Sequence, residues 1–264
     1  MLDITAITPD IHRVVVPFLD IFTTVFVVRT PAGALLFDTA TYPEDADNYL
    51  IPALDELGVT AEELKYVFIS HAHRDHVGGL ERFMELRPDT CIVTPNEGLK
   101  EKFTGKSLFS PADGDMLLDV LRVVEIPGHT ADAVGLLDTR TGTLLTGDGL
   151  QVFGIYGSGN WGANIGLPME HLAALERIRA LTPAAIYASH DYYPCGNRAC
   201  TSADVARYTY LCAAALHHIR GFIAAHPELD NAALSALYNE TTGLPKVGSH
   251  VFGGMRRAME AGEI

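Results

Sequence analysis

The segment His71-Ala72-His73-Arg74-Asp75-His76 sets three imidazoles and one carboxylate close together in sequence. Imidazole nitrogens and carboxylate oxygens suit zinc, iron or manganese, and a loop of this composition can turn its donors toward one point. The bland alternative is a solvated polar loop, which rarely needs three histidines at such spacing. Three further candidates stand far along the chain: His129 in Pro127-Gly128-His129-Thr130, Asp148 in Thr146-Gly147-Asp148-Gly149, and His190 in Ala188-Ser189-His190-Asp191. Small residues flank each and would let the backbone approach a cation closely. The chemistry such a set supports is hydrolysis by metal-activated water.

The elements that must position these residues read as α/β. Residues 11–18, 22–29 and 34–37 are β-branched and apolar runs separated by Asp20 and by Pro31-Ala32-Gly33, a meander of strands. Over 44–57 the apolar residues Leu50, Ile51, Leu54 and Leu57 recur at helical spacing, and Gly58 supplies a stop. Residues 65–70 read as a strand that delivers His71 into a strand-to-helix loop. A helix over 80–86, a strand over 90–94 and a short helix over 97–103 follow.

A second set of strands is expected over 117–126, 134–138 and 143–146. Pro168 opens a helix over 169–181, and a strand over 185–189 ends at His190. Residues 203–225 and 231–238 are helical in pattern, whereas 243–254 reads as loop. Residues 1–200 are therefore expected to form the core, with 201–264 a helical extension packed on it.

In their order and context the candidate ligands resemble the metallo-β-lactamase fold superfamily, whose pattern is His-x-His-x-Asp-His followed by a distant His, Asp and His. The likeness runs from the first strands to His190, and all seven ligand positions are filled. It implies a four-layer αβ/βα sandwich with C-terminal helices. It also implies two divalent metal ions, with zinc expected and iron or manganese as alternatives. His71, His73 and His129 would bind the first metal, Asp75, His76 and His190 the second, and Asp148 would bridge them. Asp75 is also the candidate catalytic carboxylate, orienting the nucleophile beside the second metal. Asp38, in Phe37-Asp38-Thr39, matches a position that supports the ligand loop from behind. His73 stands where flavodiiron members carry glutamate, which favours hydrolysis over redox chemistry.

The complete ligand set resembles the hydroxyacylglutathione hydrolase and lactonase branches, so the expected substrate is a small carbonyl compound such as a thioester or lactone. Two departures hold back a closer assignment. The tail offers only scattered Arg207, Arg220, Lys246, Arg256 and Arg257, and Gln151 stands near where lactonases often place a tyrosine. Phosphodiester cleavage and di-iron redox chemistry are the alternatives on the same scaffold.

A formal charge of −14 argues against nucleic acid as partner, because such binding draws its affinity from Lys and Arg on phosphates. The N-terminal residues lack the pattern of a secretory signal, and no apolar run is long enough to cross a bilayer, so a cytoplasmic protein without membrane partners is expected. The oligomeric state is open, with a homodimer among the candidates. Cys91, Cys195, Cys200 and Cys212 form no Cys-x-x-Cys pair and are expected to be reduced, a Cys195–Cys200 bridge being the less favoured reading. In the glycine-rich segment 151–162, with the sole tryptophan Trp161, a rim closing over substrate and an ordinary surface loop weigh equally. Tyr192 and Tyr193 could donate to an oxyanion, but packing is favoured for both. His250 is expected at the surface, and His12, His171, His217, His218 and His226 are read as structural or solvent-facing.

Overall fold

The computed structural model describes residues 2–156 and 161–264, so that Gly157, Ser158, Gly159 and Asn160 of the glycine-rich segment lie outside the described residues. The chain divides into two compact units, Met1–Val124 with Leu136–Arg140, and Glu125–Gly135 with Thr141–Ile264.

The first unit holds a seven-stranded sheet whose spatial order follows the chain: β1 (Asp3–Ala6), β2 (Ile11–Phe18), β3 (Ile21–Thr30), β4 (Gly33–Phe37), β5 (Leu64–Phe68), β6 (Cys91–Val93) and β7 (Leu108–Phe109). The first four strands pair antiparallel, as tight turns require, and β4 to β7 pair parallel through helical crossovers. One face of this sheet buries Val14, Val25, Val27, Leu36, Val67 and Ile92 against Leu50, Leu54, Phe83 and Met84 from the crossovers.

The single helix expected over 44–57 is instead α1 (Pro43–Asp45), a π-helical stretch over Ala46–Leu50, and α2 (Ile51–Glu56). Pro52 lacks an N–H, and Ile51 donates five residues back to Ala46, so the regular ladder is broken where the proline enters. The ligand-rich segment lies between β5 and α4 (Leu80–Leu86), interrupted by the one-turn helix α3 (Arg74–Val77). Asn96 caps the following helix, α5 (Glu97–Lys102), by accepting from the Leu99 N–H at 2.9 Å.

A second, six-stranded sheet has the order β13-β12-β11-β10-β9-β8. Its strands are β8 (Met116–Leu117), β9 (Leu121–Glu125), β10 (Val134–Asp138), β11 (Thr143–Leu145), β12 (Ala185–Tyr192) and β13 (Gly196–Ala199). The strand expected over 117–126 is thus two, because Leu118 and Asp119 take positive φ (46° and 66°) and turn the chain into a hairpin.

The second unit adds α6 (Pro168–Leu181), α7 (Ser202–Ala225), α8 (Asn231–Thr241) and α9 (Ser249–Glu260). Its apolar centre joins Leu216, Ile219, Tyr238, Val251, Phe252 and Met255 to Ala163 and Ile165. Residues 243–248 are loop as expected, and helix α9 corrects the remainder of that reading, 249–254. Gly253 and Gly254 lower intrinsic helix propensity by about 1 kcal/mol each, but burial of Val251, Phe252 and Met255 on one face overrides it. Among the described residues no helix is long and apolar enough to cross a membrane.

Candidate metal centre

In the first unit β4 and β5 run parallel with Phe37 opposite Phe68, so the residues that follow each strand emerge side by side. Asp38 and Ser70 meet there. Asp38 is fully buried with φ 64°, and Ala40 repeats the left-handed conformation at φ 58°. The Asp38 carboxylate accepts three hydrogen bonds: from Ser70 N at 2.8 Å, from Ser70 Oγ at 2.8 Å, and from His76 Nδ1 at 2.6 Å.

These bonds fix ring tautomers. Because Ser70 gives its hydroxyl proton to Asp38, its oxygen is left to accept from His71 Nδ1 at 3.1 Å. His71 and His76 therefore both carry their proton on Nδ1 and present the Nε2 lone pair, the tautomer a metal needs. Asp75 places Oδ2 3.6 Å from His76 Nε2, and His71 and His73 each offer a ring nitrogen within 4.8 Å of the other. His71 and His76 are buried, Asp75 is partly exposed, and His73 is open to solvent.

Backbone packing holds the ligand loop. Thr39 N donates to His76 O at 2.8 Å and Thr39 Oγ1 to the same oxygen at 3.0 Å, while Gly78 N donates to Ala40 O at 2.9 Å. A Cβ at Gly78 would stand 1.8 Å from Thr41 O, and one at Gly79 2.3 Å from Thr39 O, so only glycine permits this approach.

In the second unit β11 and β12 are parallel with Leu145 opposite Tyr187. Three residues on from each member of that pair stand Asp148 and His190, and Asp148 Oδ2 lies 3.3 Å from His190 Nε2. The same oxygen lies 3.7 Å from His129 Nε2. His129 donates from Nδ1 to Asn164 O at 2.8 Å, so it too presents Nε2. Gly128, at φ 146°, packs directly on His171: a Cβ there would lie 2.5 Å from that residue's Cβ. His171 is fully buried, and burial, then the neighbouring His129, push its pKa down to about 4.

Two donors of one cation, each at about 2.1 Å in tetrahedral geometry, stand about 3.4 Å apart. The three imidazole–carboxylate pairs, at 3.6, 3.3 and 3.7 Å, match that separation. Lone pairs and carboxylate oxygens repel at these distances unless a cation or proton lies between them. The borderline nitrogen and oxygen donors suit a divalent metal. Each unit thus carries donors that could hold a divalent metal: His71, His73, Asp75 and His76 in the first, and His129, Asp148 and His190 in the second.

Two residues that residue type alone did not mark as supports complete the second set. Gln151 is buried and donates from Nε2 to Asp148 O at 2.9 Å and to Tyr192 Oη at 2.9 Å, while its Oε1 accepts from Asn164 N at 3.3 Å. Asn164 supplies the carbonyl that orients His129. Tyr192 is fully buried with its hydroxyl on Gln151, whereas Tyr193 is exposed and edge-on to Tyr156 at 5.3 Å. All four cysteines are free thiols, so Cys195 and Cys200 do not pair.

The model of the metallo-beta-lactamase superfamily matches residues 20–190, well over half of the chain and all seven candidate ligands. The chain belongs to this superfamily. Membership bears out the fold expected from the sequence, two mixed sheets with helices and a helical C-terminus. Among superfamily relatives, a hydroxyacylglutathione hydrolase of Prochlorococcus marinus is 27% identical over 149 residues, which cover 53% of this chain and 57% of the relative. The chain spans about half the length of the curated relatives it matches. A metallo-β-lactamase family protein from Thermus thermophilus has a similar structure, with a TM-score of 0.71 at 19% identity over 97% of this chain and 95% of that one. A flavo di-iron protein from Thermotoga maritima shares the fold at a TM-score of 0.61 and 17% identity, over 81% of this chain and 61% of that one.

Proposed function

We propose that this superfamily member is a binuclear metallo-hydrolase acting on a small carbonyl substrate of the thioester or lactone class. In this reading the two ligand sets act together. His71, His73 and His129 hold one metal, Asp75, His76 and His190 the other, and Asp148 serves both. The observation that carries the reading is Asp148 Oδ2, one oxygen within 3.7 Å of two histidine Nε2 atoms from different segments. In this assignment His129 and His190 serve different metals, so the one carboxylate oxygen faces a histidine of each set, where a shared ligand would stand.

Divalent cations held by these residues would supply Lewis acidity, lowering the pKa of water from ~15.7 toward ~7. The chain's own part is orientation and proton handling. Asp38, Ser70 and Asn164 hold three imidazoles in the ligand tautomer before any metal arrives. Asp75, with one oxygen turned to His76 and its side chain partly open to solvent, is placed to accept a hydrogen bond from the attacking water and to steer it.

Zinc is the expected metal, because five histidines and two carboxylates supply the nitrogen and oxygen donors it takes, with iron or manganese as the alternatives. A cytoplasmic location agrees with four free thiols, and the acidic charge favours a small-molecule substrate over nucleic acid. The test is elemental analysis of protein purified without added metal, joined to a panel of thioester, lactone, β-lactam and phosphodiester substrates. About two zinc ions per chain with turnover of a thioester or lactone is the expected result. Two irons with no hydrolysis would overturn it in favour of redox chemistry.

A further inference from the structure

We infer that His250, on the C-terminal helix α9, is a positioning residue of the metal centre, acting through Asn164 on the ligand His129. The inference rests on the reading of His129 as a ligand.

His129 donates from Nδ1 to the backbone carbonyl of Asn164 at 2.8 Å, a bond that sets its tautomer. Asn164 belongs to the segment 161–167, which has no regular secondary structure and must be held by its neighbours. Backbone hydrogen bonds tie its ends to earlier residues, Ile155 N donating to Trp161 O, Ala163 N to Phe153 O and Leu167 N to Gly128 O, and the C-terminal region packs on the rest. Gly162 lies so close to residue 246 that a Cβ would stand 1.7 Å from Lys246 O, and a Cβ at Gly254 of α9 would stand 2.4 Å from Gly166 O. Between these two glycine contacts, Ala163 and Ile165 are buried with Val247, Val251, Phe252 and Met255.

The apolar contacts fix the segment's depth, but they do not fix the rotation of the Asn164 peptide. The polar groups do. Asn164 N donates to Gln151 Oε1 at 3.3 Å, and His250 donates from Nε2 to Asn164 Oδ1. Gln151 in turn holds Asp148 O. Asn164 is therefore anchored at its N–H, its side chain and its carbonyl, and the side-chain anchor comes from α9. His250 itself is exposed, so its imidazole serves this segment through polar contact rather than through the core. Partners behind a ligand typically change metal affinity 10–100-fold when removed; His250, one residue further back, is expected at or below the lower end of that range.

The experiment compares the full chain with His250→Ala and His250→Gln. Each is loaded with zinc and titrated with a competing chromophoric chelator, and each metal-free form is melted. The expected result is that His250→Ala releases one of two zinc ions about 3–10-fold more readily and the other at the wild-type chelator concentration. His250→Gln, whose amide N–H can reach Asn164 Oδ1, restores the wild-type curve, and the three metal-free proteins melt alike. Superimposable release curves for wild type and His250→Ala would overturn the inference, as would equal weakening in both variants or weakening matched by a lower metal-free melting temperature. A wild-type chain that takes up no zinc would instead remove the metal centre itself, and the inference with it.

Discussion

Replacing Asp38 by Asn tests whether ligand tautomers are set from behind. Asn tolerates the left-handed backbone at φ 64° nearly as well as Asp, and it has the same shape. The carboxylate accepts from Ser70 N on one oxygen and from Ser70 Oγ and His76 Nδ1 on the other. An amide has one acceptor oxygen and one donor nitrogen. With the oxygen toward Ser70 N, the NH2 faces His76 Nδ1, which must become an acceptor and move its proton to Nε2. Ser70 also loses the acceptor that fixed its hydroxyl, so the restraint on His71 weakens with it. Two ligands are affected, which places the expected loss near the upper end of the 10–100-fold range for such partners, about 2.7 kcal/mol at 1.36 kcal/mol per decade. Chelator competition reads the affinity, and 15N imidazole spectra of the metal-free protein read the tautomers directly. An Asp38→Asn variant that holds zinc as wild type does, with His76 still protonated at Nδ1, would refute the reasoning.

Asp148→Ala should lower metal content and activity together, since one carboxylate oxygen faces both His129 and His190; full metal with full activity would remove its bridging role. Asp75→Asn should cut turnover strongly, and unchanged turnover on the active substrate would show that its carboxylate does not orient the nucleophile. Gly78→Ala, whose Cβ would meet Thr41 O at 1.8 Å, should cost about 3 kcal/mol or more in urea unfolding, against about 1 kcal/mol for Gly58→Ala at φ 66° with open space around it. His171, held at about 4 in the fold against 6.5 when unfolded, binds its proton more readily in the unfolded chain. Stability should therefore fall as pH drops from 6.5 to 4, by up to about 3 kcal/mol at 1.36 kcal/mol per pKa unit, and level out below. His171→Leu should lack this component, and equal acid sensitivity in the two proteins would count against it.

The candidate ligands were legible because their types and spacing are unusual: three histidines and an aspartate over 71–76 form a grouping that neither a surface loop nor a core segment has much use for. Asp38 was legible only through resemblance, since nothing in Phe37-Asp38-Thr39 announces that parallel pairing of Phe37 with Phe68 will bring it to Ser70. Gln151 and Asn164 escaped as supports because they act through neutral amides and a backbone carbonyl, groups whose role depends on tertiary position rather than residue type. Helix α9 left a signal that the glycines masked. Val251, Met255 and Met259 recur every four residues, but Gly248, Gly253 and Gly254 read as loop composition. The two glycines inside α9 are accommodated by close contacts, Gly254 with Gly166 O among them, which no propensity scale records.

The left-handed pair Asp38 and Ala40 also bears on how this protein would respond to selection. A non-glycine residue in that conformation costs about 1–2 kcal/mol, and Ala40, fully buried at φ 58°, bears it with no side-chain hydrogen bond to offset it. A screen for heat resistance would enrich Ala40→Gly, because glycine relieves the strain. The same change loosens the segment whose carbonyl receives Gly78 N and whose neighbour grips His76. A screen for turnover would reject it. Residues 38–40 are thus where thermal hardiness and catalytic definition pull the sequence in opposite directions, and a lineage bred for one should show its losses in the other at these positions first.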